Sequence, residues 1–223
     1  MPVGTDLLVI SPHLDDAVLS AGGRVAAGPG AVVVTVFAGR PAAPAGLTPW
    51  DADCGFAPGE DVVGRRRRED RRALARLGAR PHWLEFTDSQ YGASPAPAAV
   101  AAALSGVVSR ERPRRVLFPL GLFHSDHRLV SDAVLALLPL HPRIEWEAYE
   151  DVPYRTLPGL VDEAVERLRR RGLVPLRRVG SAPPPVKRRA VACYRSQLRG
   201  LGTTGRLGHG DAFRPEGYWR LGA

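Results

Sequence analysis

The stretch DLLVIS at residues 6–11, followed by PHLDD at 12–16, decides the fold of this chain. The first segment is a short apolar run, which is typical of a strand buried on both of its faces. The second is a polar elbow, and it leads into AVLSAGGRVAA at residues 17–27, which has the pattern of a helix. A buried strand, an elbow and a helix in this order predict an α/β protein whose parallel sheet carries helices on both faces.

Further apolar runs repeat this pattern along the chain. Predicted strands occupy AVVVTVFA (31–38), HWLEF (82–86), RRVLFPL (114–120), RIEWEAYE (143–150) and LVPLRRV (173–179). Predicted helices occupy residues 62–77, 98–109, 128–138, 157–171 and 186–198. Pro175 places the last strand at an edge of the sheet, because proline cannot donate a hydrogen bond to a neighbouring strand. The sequence thus predicts a Rossmann-like three-layer sandwich of the α/β class with a mostly parallel sheet.

The whole chain, residues 1–223, is expected to form one domain, because it shows no internal repeat and no linker. The glycine-rich segment 199–223 lacks clear periodicity, but Phe213, Tyr218 and Trp219 predict that it packs on the domain. Hydrophobic residues make up 44% of the chain and charged residues 24%, which is the balance of an ordinary globular protein.

The apolar runs, the N-terminal sequence and the two cysteines indicate in which cellular compartment the protein is found. No apolar run approaches the ~18–20 residues that span a bilayer, and MPVGTDLLVI (1–10) lacks the basic and apolar regions of an export signal. Cys54 and Cys193 are predicted to be free thiols, which fits a reducing environment. The protein is therefore expected in the cytoplasm, without a membrane span.

The net charge of +8 raises the question of a nucleic-acid partner. Lys187 is the only lysine among 31 basic residues, and this arginine bias is typical of a GC-rich genome. Arginine clusters at 65–68, 71–72 and 169–171 lie on predicted helices, where a solvated face explains them. We therefore expect no nucleic-acid partner.

Two polar elbows carry the residues that suggest chemistry. The first, after strand one, holds His13, Asp15 and Asp16; the second, after the predicted strand 114–120, holds His124 and, in the same HSDH motif, Asp126 and His127. Ligands of open parallel sheets bind beyond the carboxyl ends of the strands. The sequence therefore predicts that both elbows face one site.

These residue types suit a metal centre. His13 and Asp16 can aim at one point from a tight turn, and His127 can supply a third ligand. Two imidazoles and one carboxylate leave an open position, as in catalytic zinc sites. Asp15 is then free to accept a proton from water, and His124 can stabilise an oxyanion or protonate a leaving amine.

The same residues allow other interpretations. Asp15 or Asp16 alone could cap a helix. A dinucleotide site is disfavoured because no G-x-G-x-x-G follows the first strand, and a serine hydrolase is disfavoured because G-x-S-x-G is absent.

SPHLDDAVLSAGG (11–23) resembles the N-terminal signature of the PIG-L/LmbE family of zinc-dependent N-acetylglucosamine deacetylases, and HSDH (124–127) resembles its second histidine motif. Further segments resemble the family along nearly the whole chain: RRREDRRALARLG (66–78), YEDVPY (149–154), KRRAVACYRSQL (187–198) and RPEGYW (214–219). The resemblance implies an LmbE-like fold and an N-deacetylase activity.

Carried over residue by residue, the resemblance implies specific roles. Zinc would bind His13, Asp16 and His127, Asp15 would be the general base, and His124 would stabilise the oxyanion. Fe²⁺ or Co²⁺ also suit such ligands. The residues that would bind the substrate are Arg66, Asp88 and Tyr91.

The chain also departs from the family pattern. Ala17 stands where many members have glutamate, and Leu122 stands where some have a mobile tyrosine, so any tyrosine near the oxyanion must come from elsewhere. The loop 39–61, with Trp50, Asp51 and Asp53, is the predicted specificity element.

Together these observations predict a zinc-dependent hydrolase that removes an N-acetyl or other N-acyl group from an amino sugar or a related polar small molecule. The setting would be secondary-metabolite or thiol-sugar biosynthesis. The alternatives are an amidase that acts on a larger sugar conjugate and a non-catalytic module that binds a sugar or nucleic acid. A homo-oligomer is left open.

Overall fold

The computed structural model describes residues 5–41, 46–92 and 94–222. Within them, one seven-stranded sheet has the order β3-β2-β1-β4-β5-β7-β6. The strands are β1 (Leu7–Ser11), β2 (Val32–Thr35), β3 (Arg80–Trp83), β4 (Arg115–Pro119), β5 (Glu145–Tyr149), β6 (Val174–Val179) and β7 (Gly217–Gly222). Strands β1 to β5 run parallel, and β7 pairs antiparallel with both β5 and β6. The predicted mostly parallel sheet is confirmed, with β6 at its edge.

Eight α-helices accompany the sheet in the described part of the chain. They are α1 (Asp16–Ala27), α2 (Pro49–Asp53), α3 (Val62–Arg76), α4 (Pro97–Glu111), α5 (Ser125–Leu135), α6 (Leu160–Arg170), α7 (Pro185–Val191) and α8 (Arg195–Leu201). None of these helices combines the length and the apolar character that a membrane crossing requires.

The core lies on both faces of the sheet, as a continuous apolar strand requires. Along β1, Leu8 and Ile10 belong to one cluster of buried side chains, whereas Leu7 and Val9 belong to the cluster on the other face. All four are at most 3% exposed. This explains why DLLVIS lacks the polar alternation of a half-exposed strand.

Several predicted boundaries were wrong. The strand predicted at 82–86 is Arg80–Trp83, a sheet edge where half-exposed polar residues are tolerated. The helix predicted at 128–138 begins earlier, at Ser125, because the second elbow already provides its N-cap. The predicted helix 186–198 is two helices, since the chain turns between α7 and α8 to bury Tyr194.

The C-terminal segment contributes β7, which the sequence analysis did not identify as a strand because prolines and glycines surround it. The same segment supports α1, which is kinked at Ala21. Glu216 accepts a hydrogen bond of 2.7 Å from the backbone N–H of Gly23, and the buried Lys187 bonds both Glu216 (2.6 Å) and the carbonyl of Leu19 (2.8 Å). These two side chains satisfy backbone groups that the kink would otherwise leave unpaired.

The sheet order also decides where the elbows lie. Strands β1 and β4 are parallel neighbours, with Leu7 paired with Arg115 and Val9 with Leu117. Their carboxyl ends therefore lie side by side, and the elbow at 12–16 and the segment 120–127, which includes the HSDH motif, meet at one edge of the sheet.

Candidate active site

The first elbow is shaped by hydrogen bonds between its own residues. The hydroxyl of Ser11 donates to the carbonyl of His13 (2.6 Å) and accepts from the N–H of Ala17 (3.0 Å). The carboxylate of Asp16 accepts from the backbone N–H of His13 (2.8 Å). This tight turn brings the imidazole of His13 and the carboxylate of Asp16 together at the start of α1.

Asp15 occupies the N-cap position of α1, but its side chain makes no capping hydrogen bond. The carboxyl group instead lines the cavity beyond the sheet, where the residue is 7% exposed. Burial, and then the neighbouring charge of Asp16, raise the pKa of Asp15 to about 7. A helix cap therefore does not explain this residue, and its carboxyl group faces the site.

The second elbow presents two histidines. His124 is the N-cap of α5, and its Nδ1 accepts a hydrogen bond from the N–H of Asp126 (3.2 Å). Because Nδ1 acts as acceptor, the neutral ring carries its proton on Nε2, which is then available as a donor. Burial and the charges of His13 and His127 lower the pKa of His124, which favours this neutral form.

Three donor atoms from the two elbows converge. Asp16 Oδ2 lies 3.1 Å from His13 Nδ1 and 3.2 Å from His127 Nε2, and atoms of the three residues lie within 4.8 Å of one another. Two imidazole nitrogens and one carboxylate oxygen are a ligand set for a divalent transition metal. The residues present thus fit a metal centre of the predicted composition.

A second group of potential ligands shares His13. It comprises His13, His124 and Asp126, again with donor atoms within 4.8 Å. Asp126 is fully buried, and its Oδ1 has no hydrogen-bond partner among the described residues.

Each histidine of the first group is held by a further carboxylate. Asp126 Oδ2 lies 3.1 Å from His13 Nε2, and Asp151 Oδ1 lies 2.6 Å from His127 Nδ1. The other oxygen of Asp151 accepts from the N–H groups of Gly121 (3.0 Å) and Leu122 (3.2 Å). Such carboxylates orient metal-binding histidines and make them more basic.

Sequence reasoning assigned no role to these two carboxylates. Asp126 lies inside the HSDH motif and Asp151 inside YEDVPY, so both residues belong to motifs on which the resemblance to the family rests. Burial alone would lower the pKa of His127, but Asp16 and Asp151 outweigh it and raise the pKa to about 9. A metal ion that binds here must displace this proton.

The three predicted substrate-binding residues lie on the side of His13. Together with His13, they border a narrow cleft of about 20 Å³. Asp88 also borders the large cavity, and its carboxylate accepts hydrogen bonds from the backbone and side chain of Gln90 (3.0 and 2.9 Å). Arg66 and Tyr91 do not border the large cavity.

Asp51, a buried acid of the short helix α2, holds those two residues. Arg66 Nη2 lies 2.9 Å from Asp51 Oδ1, and the hydroxyl of Tyr91 donates to Asp51 Oδ2 (2.8 Å). Arg66 is 5% exposed and Asp51 is 1% exposed. The segment predicted as a loop at 39–61 therefore contains the short helix α2, whose Asp51 contacts Arg66 and Tyr91 while its Trp50 borders the large cavity. Residues 42–45 of the loop lie outside the described residues.

The site opens into a cavity of about 560 Å³. Its polar floor is formed by the residues of both elbows, namely His13, Asp15, Asp16, His124 and His127. Its outer wall is mostly apolar and includes Trp50, Phe123, Tyr154, Leu157, Leu201 and Leu207. Tyr154 lies with its ring centroid 5.4 Å from that of His127, so a tyrosine does border the site where Leu122 cannot supply one.

A solvent-accessible cavity that joins a His₂Asp ligand set, an uncapped carboxyl group and a neutral imidazole donor is typical of metal-dependent hydrolases. Residues 8–138 match the family model described as GlcNAc-PI de-N-acetylase (PIG-L). The chain belongs to this family, and the resemblance predicted from its motifs is confirmed.

Relatives agree on the activity. The chain is 34% identical to a 2'-N-acetylparomamine deacetylase of Streptomyces fradiae, with 85% of this chain and 72% of the relative covered. It is similar to the crystal structure of the A40926 pseudoaglycone deacetylase Dbv21 (TM-score 0.77, 28% identity, 98% of both chains covered). It is also similar to the zinc-inhibited form of the teicoplanin deacetylase Orf2 (TM-score 0.78, 26% identity, 97% of both chains covered). The predicted enzyme class, an N-deacetylase, is confirmed.

Proposed function

We propose that this protein is a zinc-dependent hydrolase that removes the acetyl group from an N-acetylated amino sugar during the biosynthesis of an antibiotic or another secondary metabolite. The observation that carries the proposal is the convergence of His13, Asp16 and His127 beside the uncapped carboxyl group of Asp15. The relatives support the substrate class, because they are named as deacetylases of 2'-N-acetylparomamine, of the pseudoaglycone of the antimicrobial A40926 and of teicoplanin.

Within this proposal, His13, Asp16 and His127 hold the metal ion. When bound, a divalent cation supplies Lewis acidity, which polarises the amide carbonyl and makes a water molecule more acidic. Asp126 and Asp151 keep the two histidine rings in the orientation that directs one nitrogen of each toward Asp16.

Asp15 and His124 carry out the proton chemistry. Asp15 takes a proton from the attacking water, which adds its oxygen to the carbonyl carbon of the acetamide. The Nε2–H of His124 donates a hydrogen bond to the oxyanion that forms. The carbon–nitrogen bond then breaks, and the departing amine receives the proton held by Asp15. The products are acetate and the free amino sugar.

The remaining assignments are also proposals. Asp88, Arg66 and Tyr91 bind the sugar through the cleft beside His13, with Asp88 placed best because it borders the large cavity as well. Residues 1–223 form one domain, for which the position of β7 between β5 and β6 gives support. The protein acts in the cytoplasm, and its substrate is a small molecule rather than a nucleic acid.

Metal content and amine release test the proposal together. The purified protein should contain about one zinc ion per chain and should release amine from N-acetylglucosamine or an acetylated aminoglycoside. Chelation should abolish this release, and added Zn²⁺, Co²⁺ or Fe²⁺ should restore it. His13→Ala should lose metal and activity together. Full activity of this variant without bound metal would contradict the assignment.

A further inference from the structure

The narrow cleft beside His13 contains a buried amide with one free end. Gln197 lies on α8 and is 5% exposed, yet its side chain borders both the cleft and the large cavity. Its Oε1 accepts a hydrogen bond from the thiol of Cys54 (3.7 Å). Its Nε2 has no hydrogen-bond partner among the described residues. Because a buried donor without a partner is unfavourable, we expect this amide to serve a ligand.

Hydrogen bonds fix which end of the amide faces the cleft. Arg66 Nη2 donates to Cys54 Sγ (3.3 Å), so the sulfur accepts from the arginine while its own hydrogen is free for Oε1 of Gln197. Burial raises the pKa of Cys54 to about 11, which keeps the thiol protonated and able to donate. Since the thiol holds Oε1, the N–H groups of Nε2 are left for the cleft and the cavity.

The helix that carries Gln197 is itself held in place. The hydroxyl of Ser196 donates to the carboxylate of Glu69 (2.6 Å), and both residues are buried. On the other side, Gly200 lets α8 approach α2 closely, since a Cβ at this position would lie 2.7 Å from Cys54 Sγ. The amide is therefore in position before a ligand arrives, which lowers the entropy cost of binding.

The cleft offers one acceptor beside this donor. Asp88 also borders both the cleft and the cavity, and a carboxylate can only accept. The cleft volume of about 20 Å³ suits a group of the size of one water molecule, which needs about 10–15 Å³. A group of this size that accepts from an amide and donates to a carboxylate is a hydroxyl.

The position of the cleft selects one hydroxyl of the sugar. His13 borders the cleft and belongs to the metal-binding group, so a hydroxyl in the cleft must be attached close to the acetamide that lies on the polar floor. In N-acetylglucosamine the acetamide is on C2, whose neighbours are C1 and C3. In a glycoside, C1 carries the rest of the molecule. The C3 hydroxyl is therefore the group that fits.

We propose that Gln197 is a specificity-determining residue, which donates a hydrogen bond from Nε2 to the C3 hydroxyl of the amino sugar while this hydroxyl donates to Asp88. This inference rests on the proposed function. The enzyme should therefore discriminate against amino sugars that lack the C3 hydroxyl, whatever group is attached to C1.

Binding of two sugars without an amide tests the contact without reference to catalysis. Calorimetry can compare the affinities of glucosamine and 3-deoxyglucosamine for the protein loaded with one equivalent of zinc. Because the deoxy sugar loses two hydrogen bonds, wild-type protein should bind it about 30-fold more weakly. Equal affinities, or no binding of glucosamine, would overturn the proposal.

Variants locate the effect at the amide. Gln197→Met keeps the length of the side chain but removes the donor, so the preference for glucosamine should fall to about fivefold, with Asp88 as the remaining partner. Gln197→Leu should do the same. Arg195→Met is the matched control on the same helix, because Arg195 is exposed and lies outside the cavity, and it should keep the full preference. A preference within twofold of wild type in the Gln197 variants would refute the assignment.

Turnover separates this inference from the proposed function. Gln197→Met should raise the KM for N-acetylglucosamine about fivefold and leave kcat within twofold of wild type, since the hydroxyl takes no part in bond cleavage. A fall in kcat with an unchanged KM would overturn the role in sugar recognition. Failure of wild-type protein to release amine from any acetylated sugar would reject the proposed function, and the glucosamine affinities would still decide on Gln197.

Discussion

Asp151 offers a direct test of how the site is held together. Its Oδ1 lies 2.6 Å from His127 Nδ1, and both residues are at most 1% exposed. Its Oδ2 accepts from two backbone N–H groups of the second elbow. The substitution Asp151→Asn keeps the size of the side chain, but the amide has only one acceptor oxygen. It can therefore serve the histidine or the backbone, but not both.

The expected loss follows from this geometry. Removal of the carboxylate partner of a metal-binding histidine typically costs about 10- to 100-fold in metal affinity or activity, which corresponds to about 1.4 to 2.8 kcal/mol. We expect Asp151→Asn to weaken zinc binding by this factor. Part of the activity should return at the free zinc concentration that fills the weakened first site without filling the second group of potential ligands.

The assay is a competition titration with a chromophoric zinc chelator, followed by measurement of amine release at a buffered free zinc concentration that fills only the first site. Asp132→Asn is the control, because Asp132 pairs with Arg171 at the surface (2.8 Å, both side chains 42% exposed) and should leave zinc affinity unchanged. Zinc affinity of Asp151→Asn within twofold of wild type would refute the argument that this carboxylate orients His127.

Three further predictions address other parts of the molecule. The second group of potential ligands includes His124, so zinc bound there would occupy a residue that the reaction needs. We therefore expect zinc beyond one equivalent to inhibit turnover, and a metal titration to show a second, weaker binding event. Activity that stays constant at ten equivalents of zinc would contradict this. Burial raises the pKa of Asp70 to about 7 from 3.8, so the stability that its protonated form provides is fully present below pH 4 and is lost as pH rises through 7. The unfolding free energy of Asp70→Asn, taken relative to that of wild type, should therefore rise by up to about 4 kcal/mol between pH 4 and pH 8. Urea unfolding at both pH values measures this, and a difference between the two proteins that does not change with pH would reject the prediction. Lys187→Met leaves the charge of Glu216 buried beside α1 without its partner, and it should lower the unfolding free energy by about 3 kcal/mol, whereas a loss below about 0.5 kcal/mol would show that the pair contributes little.

The parts of the fold that the sequence predicted are those with local signals. Continuous apolar runs such as 6–11 and 114–120 read as buried parallel strands, and a sheet with such strands brings their polar elbows to one edge. The parallel strands alone therefore predict that His13 and His127 lie in one site, and the structure places their ring nitrogens within 4.8 Å of one another. Their separation of more than one hundred positions along the chain was no obstacle, because β1 and β4 are neighbours.

The parts that escaped prediction depend on partners distant in sequence. Nothing local to Asp151 shows that it bonds His127, and nothing local to Asp51 shows that a loop acid will pair with Arg66. Strand β7 was missed because its segment contains turn-forming residues, and only its position between β5 and β6 makes it a strand. The exposure of a side chain also depends on distant packing, so the local sequence did not predict that Phe123 lies on the cavity wall.

We propose that Asp15 activates water beside a metal ion held by the three ligands, and the variant Asp15→Asn is the most direct test of this role. Metal content and amine release should be measured on the same preparations of variant and wild type. We expect about one metal ion per chain in both proteins and a fall in kcat of at least about 10²-fold in the variant. Turnover within a factor of three of wild type, with metal still bound, would contradict it.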